Sequence, residues 1–229
     1  QWRSQMRRTQ AIIGVALSAG FSLLQVLPVR DPSPKLIYSG LMALLFSANN
    51  AFNVVGFDSP SLWLEFSAAG GIRRHQLVAR LVTYGSGTVA SLVAAGFTVA
   101  AAKGLWSELP LYLAFTPMAV ACLLGVGAVI SAAAPLAAVD GDNPFKRPAG
   151  NTGCTYALAV IGAMAGMAVL VAPFVVPALL WDGNWRFVLA AGGAMWGWLV
   201  WRHGVARAMR TLERHGPDLM AELNPRLAA

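Results

Sequence analysis

Six stretches of the chain contain no Asp, Glu, Lys or Arg: residues 11–29, 36–57, 81–102, 109–139, 154–180 and 187–201. Each is a continuous apolar run rather than an alternation of apolar and polar positions, which predicts helices and excludes a β-barrel. About 20 apolar residues carry a helix across the hydrocarbon core of a bilayer. The first three runs match that length. The fourth and fifth exceed it and predict tilt, bending or extension past the bilayer. The sixth is short, and Arg186 and Arg202 can snorkel at its two ends. The expected fold is all-α: one polytopic domain over residues 1–229 with six transmembrane helices.

The polar intervals between these runs predict the remaining elements. Residues 1–10 carry Trp2 and Met6 at helical spacing beside Arg3, Arg7 and Arg8, the pattern of an interfacial amphipathic helix. The second run ends in Asn49, Asn50 and Asn53 and then breaks at Gly56, Asp58 and Pro60. Asp58 and Ser59 ahead of Pro60 form an N-cap signature for a short helix over 60–68. Trp63, Leu64 and Phe66 give that helix an apolar face, and Gly70–Gly71 followed by Arg73, Arg74 and His75 closes it. The whole cytoplasmic segment is placed at 58–76. Residues 203–223 continue as a basic, amphipathic helix that Pro217 is expected to kink or end. Pro173 and Pro177 predict a bent or re-entrant outer section of the fifth run, ahead of Trp181 and Trp185.

Composition agrees with a membrane chain. Of 229 residues 57% are hydrophobic and 12% charged, with a mean hydropathy of +0.58; soluble domains carry about twice that charged fraction. The net charge of +7 does not mark a nucleic-acid binder, because the basic residues sit at the ends of apolar runs instead of forming a stripe. They also orient the chain. With the N-terminus inside, the cytoplasmic segments hold thirteen Lys and Arg and the external ones four, Arg30, Lys35, Lys103 and Arg186. That bias places both termini in the cytoplasm. The external loops 30–35, 103–108 and 181–186 are then short, and the longer loops 58–80 and 140–153 face a cytoplasmic partner.

Candidate chemistry is sparse. Cys122 and Cys154 lie far apart and are read as small packing residues, with no disulfide or metal spacing. No acid or histidine lies within the six runs, and His75, His203 and His215 have no metal-ligand spacing. No catalytic and no metal-binding residue is assigned. The motif GxxxxGK[ST] is absent from the sequence, so ATP hydrolysis is not expected of this chain itself. Asn49 and Asn53, four apart, share a helix face; they serve either as hydrogen-bond glue between helices or, with Asn50, as the lining of a substrate path. Trp63 and Phe66 either lie on lipid or fill a groove on a partner. Gly85 and Gly87, Gly125 and Gly127, Gly162 and Gly166, and Gly193 and Gly197 predict close helix approach.

The segment NAFNVVGFDSPSLWLEFSAAGGIRRHQLVARLV resembles the signature of permease subunits of ABC-type exporters, the type-two permease family, as in high-GC Gram-positive bacteria. Asn53, Gly56, Asp58, Trp63 and Arg80 occupy its places. A second stretch, ISAAAPLAAVDGDNPFKRPAGNTGC, is similar to that family's Ser–Pro ending of the fourth span and its Asn-Pro-Phe loop, on Ser131, Pro135, Asn143, Pro144 and Phe145. Val54–Val55 and Arg80 depart from the commonest pattern. The resemblance covers roughly residues 36 to 180. It implies an ATP-driven exporter in the bacterial plasma membrane, with Pro60–Gly71 as the coupling helix. Asp58, Pro60, Trp63, Leu64, Phe66, Arg73 and Arg74 would then meet a cytoplasmic ATPase that binds ATP and Mg, while this chain holds no cofactor. It further implies a second permease subunit, or a longer permease of which this chain is one half. The uncharged interior suits a hydrophobic or amphipathic substrate such as a drug, antibiotic or lipid. A non-transporting membrane scaffold, or a lipid-modifying membrane enzyme using Asp58, Glu65, Asp140 and Asp142, are the competing readings.

Overall fold

Every regular element among the described residues is helical. The computed structural model describes residues 5–30, 33–44, 51–55, 71–135 and 152–223. In chain order these hold α1 (Gln5–Val26), a 3-10 segment (Pro34–Met42), α2 (Arg74–Lys103), α3 (Leu109–Ala133), α4 (Thr152–Leu180) and α5 (Trp185–Leu223). Three of them are long and apolar enough to cross a membrane: Arg74–Lys103, Leu109–Ala133 and Ala157–Leu180. Ile12–Val26 is a shorter apolar helix. The all-α, membrane-helical character expected from the apolar runs is therefore present.

Local chemistry sets the helix ends. Pro34 opens the 3-10 segment, with Ser33 Oγ accepting the Lys35 N–H at 3.4 Å. Gln76 caps α2 by accepting the Arg73 N–H at 2.7 Å, just after Gly71 adopts φ 148°, a conformation L side chains rarely take. At the other end of α2, Gly104 takes φ 69° and its N–H reaches the Ala100 carbonyl, a left-handed cap. α3 stops at Ala133, short of the expected 139, because Pro135 lacks an N–H and bars Ala134 from helical geometry.

Three elements differ from expectation. The start of the second apolar run winds as a nine-residue 3-10 helix, longer than the three or four residues common for that form. α4 runs unbroken through Pro173 and Pro177 to Leu180, so no separate re-entrant section is formed there; a membrane helix tolerates proline where neighbours re-satisfy the freed backbone. α5 joins the sixth run and the basic C-terminal helix into one element of 39 residues that passes Pro217. At 1.5 Å per residue it is roughly 58 Å long, well beyond the ~30 Å hydrocarbon core. At the N-terminus, the described part of the interfacial segment, from Gln5, forms the first turns of α1.

α3 is the centre of the bundle. Of its apolar stretch 61% is buried, against 44% for α2 and 17% for α4, which lies at the edge. Tyr112, Phe115, Met118 and Leu123 on α3 are fully enclosed. Its most extensive neighbour is α5, and glycines make that approach possible. A β-carbon on Gly125 would lie 2.7 Å from the Val200 carbonyl oxygen, and one on Gly197 2.9 Å from the Met118 carbonyl. Gly204 rests directly on the backbone of Gly125. Gly85 similarly admits Leu124 between α2 and α3. Gly87, Gly162 and Gly166 have no described atom within 4 Å of where a β-carbon would stand.

Candidate functional site

Two polar regions stand at opposite ends of the bundle. The first joins the end of the second apolar run to the end of α3. Ala51, Phe52, Val54 and Val55 are buried, and the Val55 N–H donates to Ser131 Oγ at 2.6 Å across 76 residues of sequence. One turn earlier on α3, a β-carbon on Gly127 would lie 2.7 Å from the Ala51 carbonyl oxygen, so the two backbones touch. Asn53 is 5% exposed and faces the protein interior, as expected for an amide at that position. Arg80, on the second turn of α2, is likewise buried at 4% exposure. Ile72 is buried, while Arg73 and Arg74 beside it are exposed. Asn49, Asn50, Asp58, Pro60, Trp63, Leu64 and Phe66 lie outside the described residues, as do Gly56, Asn143, Pro144 and Phe145.

The second region is centred on Arg186 at the start of α5. Its guanidinium lies 3.3 Å from Glu108 Oε2 and 3.8 Å from Asp182 Oδ1, and it donates to the Tyr38 hydroxyl at 3.3 Å. One cation thus ties together the 3-10 segment, the entry to α3 and the entry to α5. Tyr38 packs edge-on to Tyr112 and Phe115, and the Tyr112 hydroxyl donates to the Leu92 carbonyl at 2.9 Å, extending the connection to α2. At the same end Lys103 Nζ donates to the Val29 carbonyl at 2.7 Å, tying α1 to α2. Trp181 and Trp185 meet at a tilt, 5.5 Å between ring centres, and Trp106 meets Phe97 at 6.2 Å around this rim. The sequence shows Glu108 and Arg186 only as charges in separate loops; nothing in their spacing pairs them.

Between the ends lie two apolar grooves. One, of about 630 Å³, runs between α2 and α3 past Val89, Pro117 and Trp201. The other, of about 460 Å³, runs between the 3-10 segment and α4, with Lys35, Tyr38 and Ser39 at one end. Among the described residues no three His, Cys, Asp or Glu side chains converge in a way that could hold a metal ion. The described arrangement is one of packed helices with charged ends and apolar grooves. A scan against protein-family models, a search of the curated proteins and a search of the solved structures each returned no match.

Proposed function

We propose that this chain is the permease subunit of an ATP-driven exporter of the type-two ABC family, moving a hydrophobic or amphipathic substrate. The observation that supports this best is the bond from Val55 to Ser131. The two stretches that resemble the family motifs are 76 residues apart, yet their described parts meet backbone to side chain at one end of the bundle. That junction leads directly into the segment assigned to coupling, and Arg73 and Arg74 leave it exposed on the other side. A push on residues 58–76 would therefore be delivered to the ends of the second and fourth spans together.

In this reading six helices cross the plasma membrane, both termini are cytoplasmic, and the Arg186 end is external. The ion pair with Glu108 then neutralises Arg186, one of the four external cations. A separate cytoplasmic ATPase supplies ATP and Mg, and a second permease subunit or half completes the path. Asn49, Asn50 and Asn53 are placed along that path, and Asp58, Pro60, Trp63, Leu64 and Phe66 on the ATPase. The test is co-purification in mild detergent of the native chain and of a Trp63→Ala/Phe66→Ala variant. The proposal expects an ATP-hydrolysing subunit with the native chain and its loss or uncoupling in the variant. If no nucleotide-binding subunit accompanies the native chain, the transport reading loses its motor and the scaffold reading replaces it.

A further inference from the structure

We infer that the groove between the 3-10 segment and α4 is a binding site for a single acyl chain of an anionic amphiphile, with the head group held at Lys35. The groove encloses about 460 Å³, within the roughly 300–1,000 Å³ of small-molecule sites. Its walls are apolar apart from one end, where Lys35, Tyr38 and Ser39 stand. Met164 and Met167 on the α4 side are flexible thioethers that adapt to a chain of undefined shape.

Length selects the occupant. From Met164 to Leu179 the α4 wall is sixteen residues, fifteen rises of 1.5 Å or about 22 Å. That exceeds half of the ~30 Å hydrocarbon core but falls short of the whole. It accommodates a chain entering from one leaflet, and a membrane-crossing helix of another protein would overrun it. Charge selects the head. Among the described residues, the acids at this end, Glu108 and Asp182, both face Arg186. Lys35 makes no ion pair among the described residues, so its ammonium is available to a carboxylate or phosphate. Ser39 Oγ, beside the groove, is enclosed and without a hydrogen-bond partner among the described residues. Tyr38 is fixed by Arg186 and so forms a rigid rim.

The site does not depend on the transport reading, since binding is a property of the isolated chain. The test uses the full chain in phosphatidylcholine nanodiscs and equilibrium binding of labelled palmitate, lysophosphatidylglycerol and lysophosphatidylcholine. Both anionic probes are expected to bind at least about tenfold more tightly than the zwitterionic one, as a charge-assisted contact provides. If palmitate is the tighter, the source is a free fatty acid; if lysophosphatidylglycerol, a membrane lipid. Lys35→Gln should erase the preference and Lys35→Arg should keep it. Ala172→Phe, which fills the groove from its half-buried wall, should abolish binding of all three with the melting temperature unchanged. Equal affinity for all probes, or full binding in Ala172→Phe, would overturn the inference. So would a dimer that Ala172→Phe dissociates in the absence of any amphiphile binding, which would assign the groove to a second copy.

Discussion

Two buried polar contacts carry the ends of this bundle, and each makes a distinct prediction. Ser131→Ala leaves the Val55 N–H without its acceptor in a fully enclosed site, so the variant should lose about 1–3 kcal/mol. Thermal unfolding in detergent measures this, and Ser131→Thr, which keeps the oxygen, should lose less. Arg186 is different in kind. Its side chain is 9% exposed and that of Glu108 20%, so removing one partner strands a largely buried charge, at about 3–5 kcal/mol. Arg186→Gln and Glu108→Gln should each destabilise strongly, while the double variant should cost clearly less than their sum; additivity in that cycle would mean the pair is not coupled. Ser131 is visible in the sequence as half of a Ser–Pro ending, but its partner is not, because a serine can bond any nearby donor. The Arg186 cluster is invisible there for the same reason: Tyr38, Glu108 and Arg186 are brought together only by the packing of three elements.

At the level of elements, the apolar runs mark helices well and mark their internal geometry poorly. The runs at 81–102 and 154–180 sit inside α2 and α4, since an uninterrupted apolar stretch of that length has few other solutions in lipid. Prolines mislead more often. Pro173 and Pro177 leave α4 unbroken, and Pro217 lies within α5, whereas Pro135 does coincide with an end. The difference is context: a helix can close around a missing bond, but a proline following a terminal turn has no reason to be absorbed. Glycine pairs are similarly ambiguous in sequence. Gly125, Gly193 and Gly197 mediate the seam of α3 and α5, together with Gly204, which no pair pattern flags, while Gly162 and Gly166 face open space. Gly204→Val should therefore prevent recovery of monodisperse protein, since its side chain would enter the backbone at Gly125. Gly162→Val and Gly166→Val should leave the unfolding free energy of the detergent-purified monomer within about 0.5 kcal/mol of the parent. Size-exclusion profiles and thermal melts distinguish the two sets.

For the whole molecule, the organising feature is a core helix, α3, with one end bonded to Val55 at the end of the second apolar run and the other reached by the Arg186 cluster. Orientation is a prediction of the same scale: a cysteine at Glu213 on the exposed face of α5 should react only with a thiol reagent that crosses the membrane, and one at Trp181 should react with an impermeant one on intact cells. The central claim is that residues 58–76 press on a cytoplasmic ATPase. It is tested most directly by placing a photo-crosslinking amino acid at Trp63 in cells, irradiating, and identifying the adduct by mass spectrometry. The account predicts a covalent adduct with a nucleotide-binding ATPase, diminished when Phe66→Ala is added. An adduct with lipid alone, undiminished by that change, would contradict it.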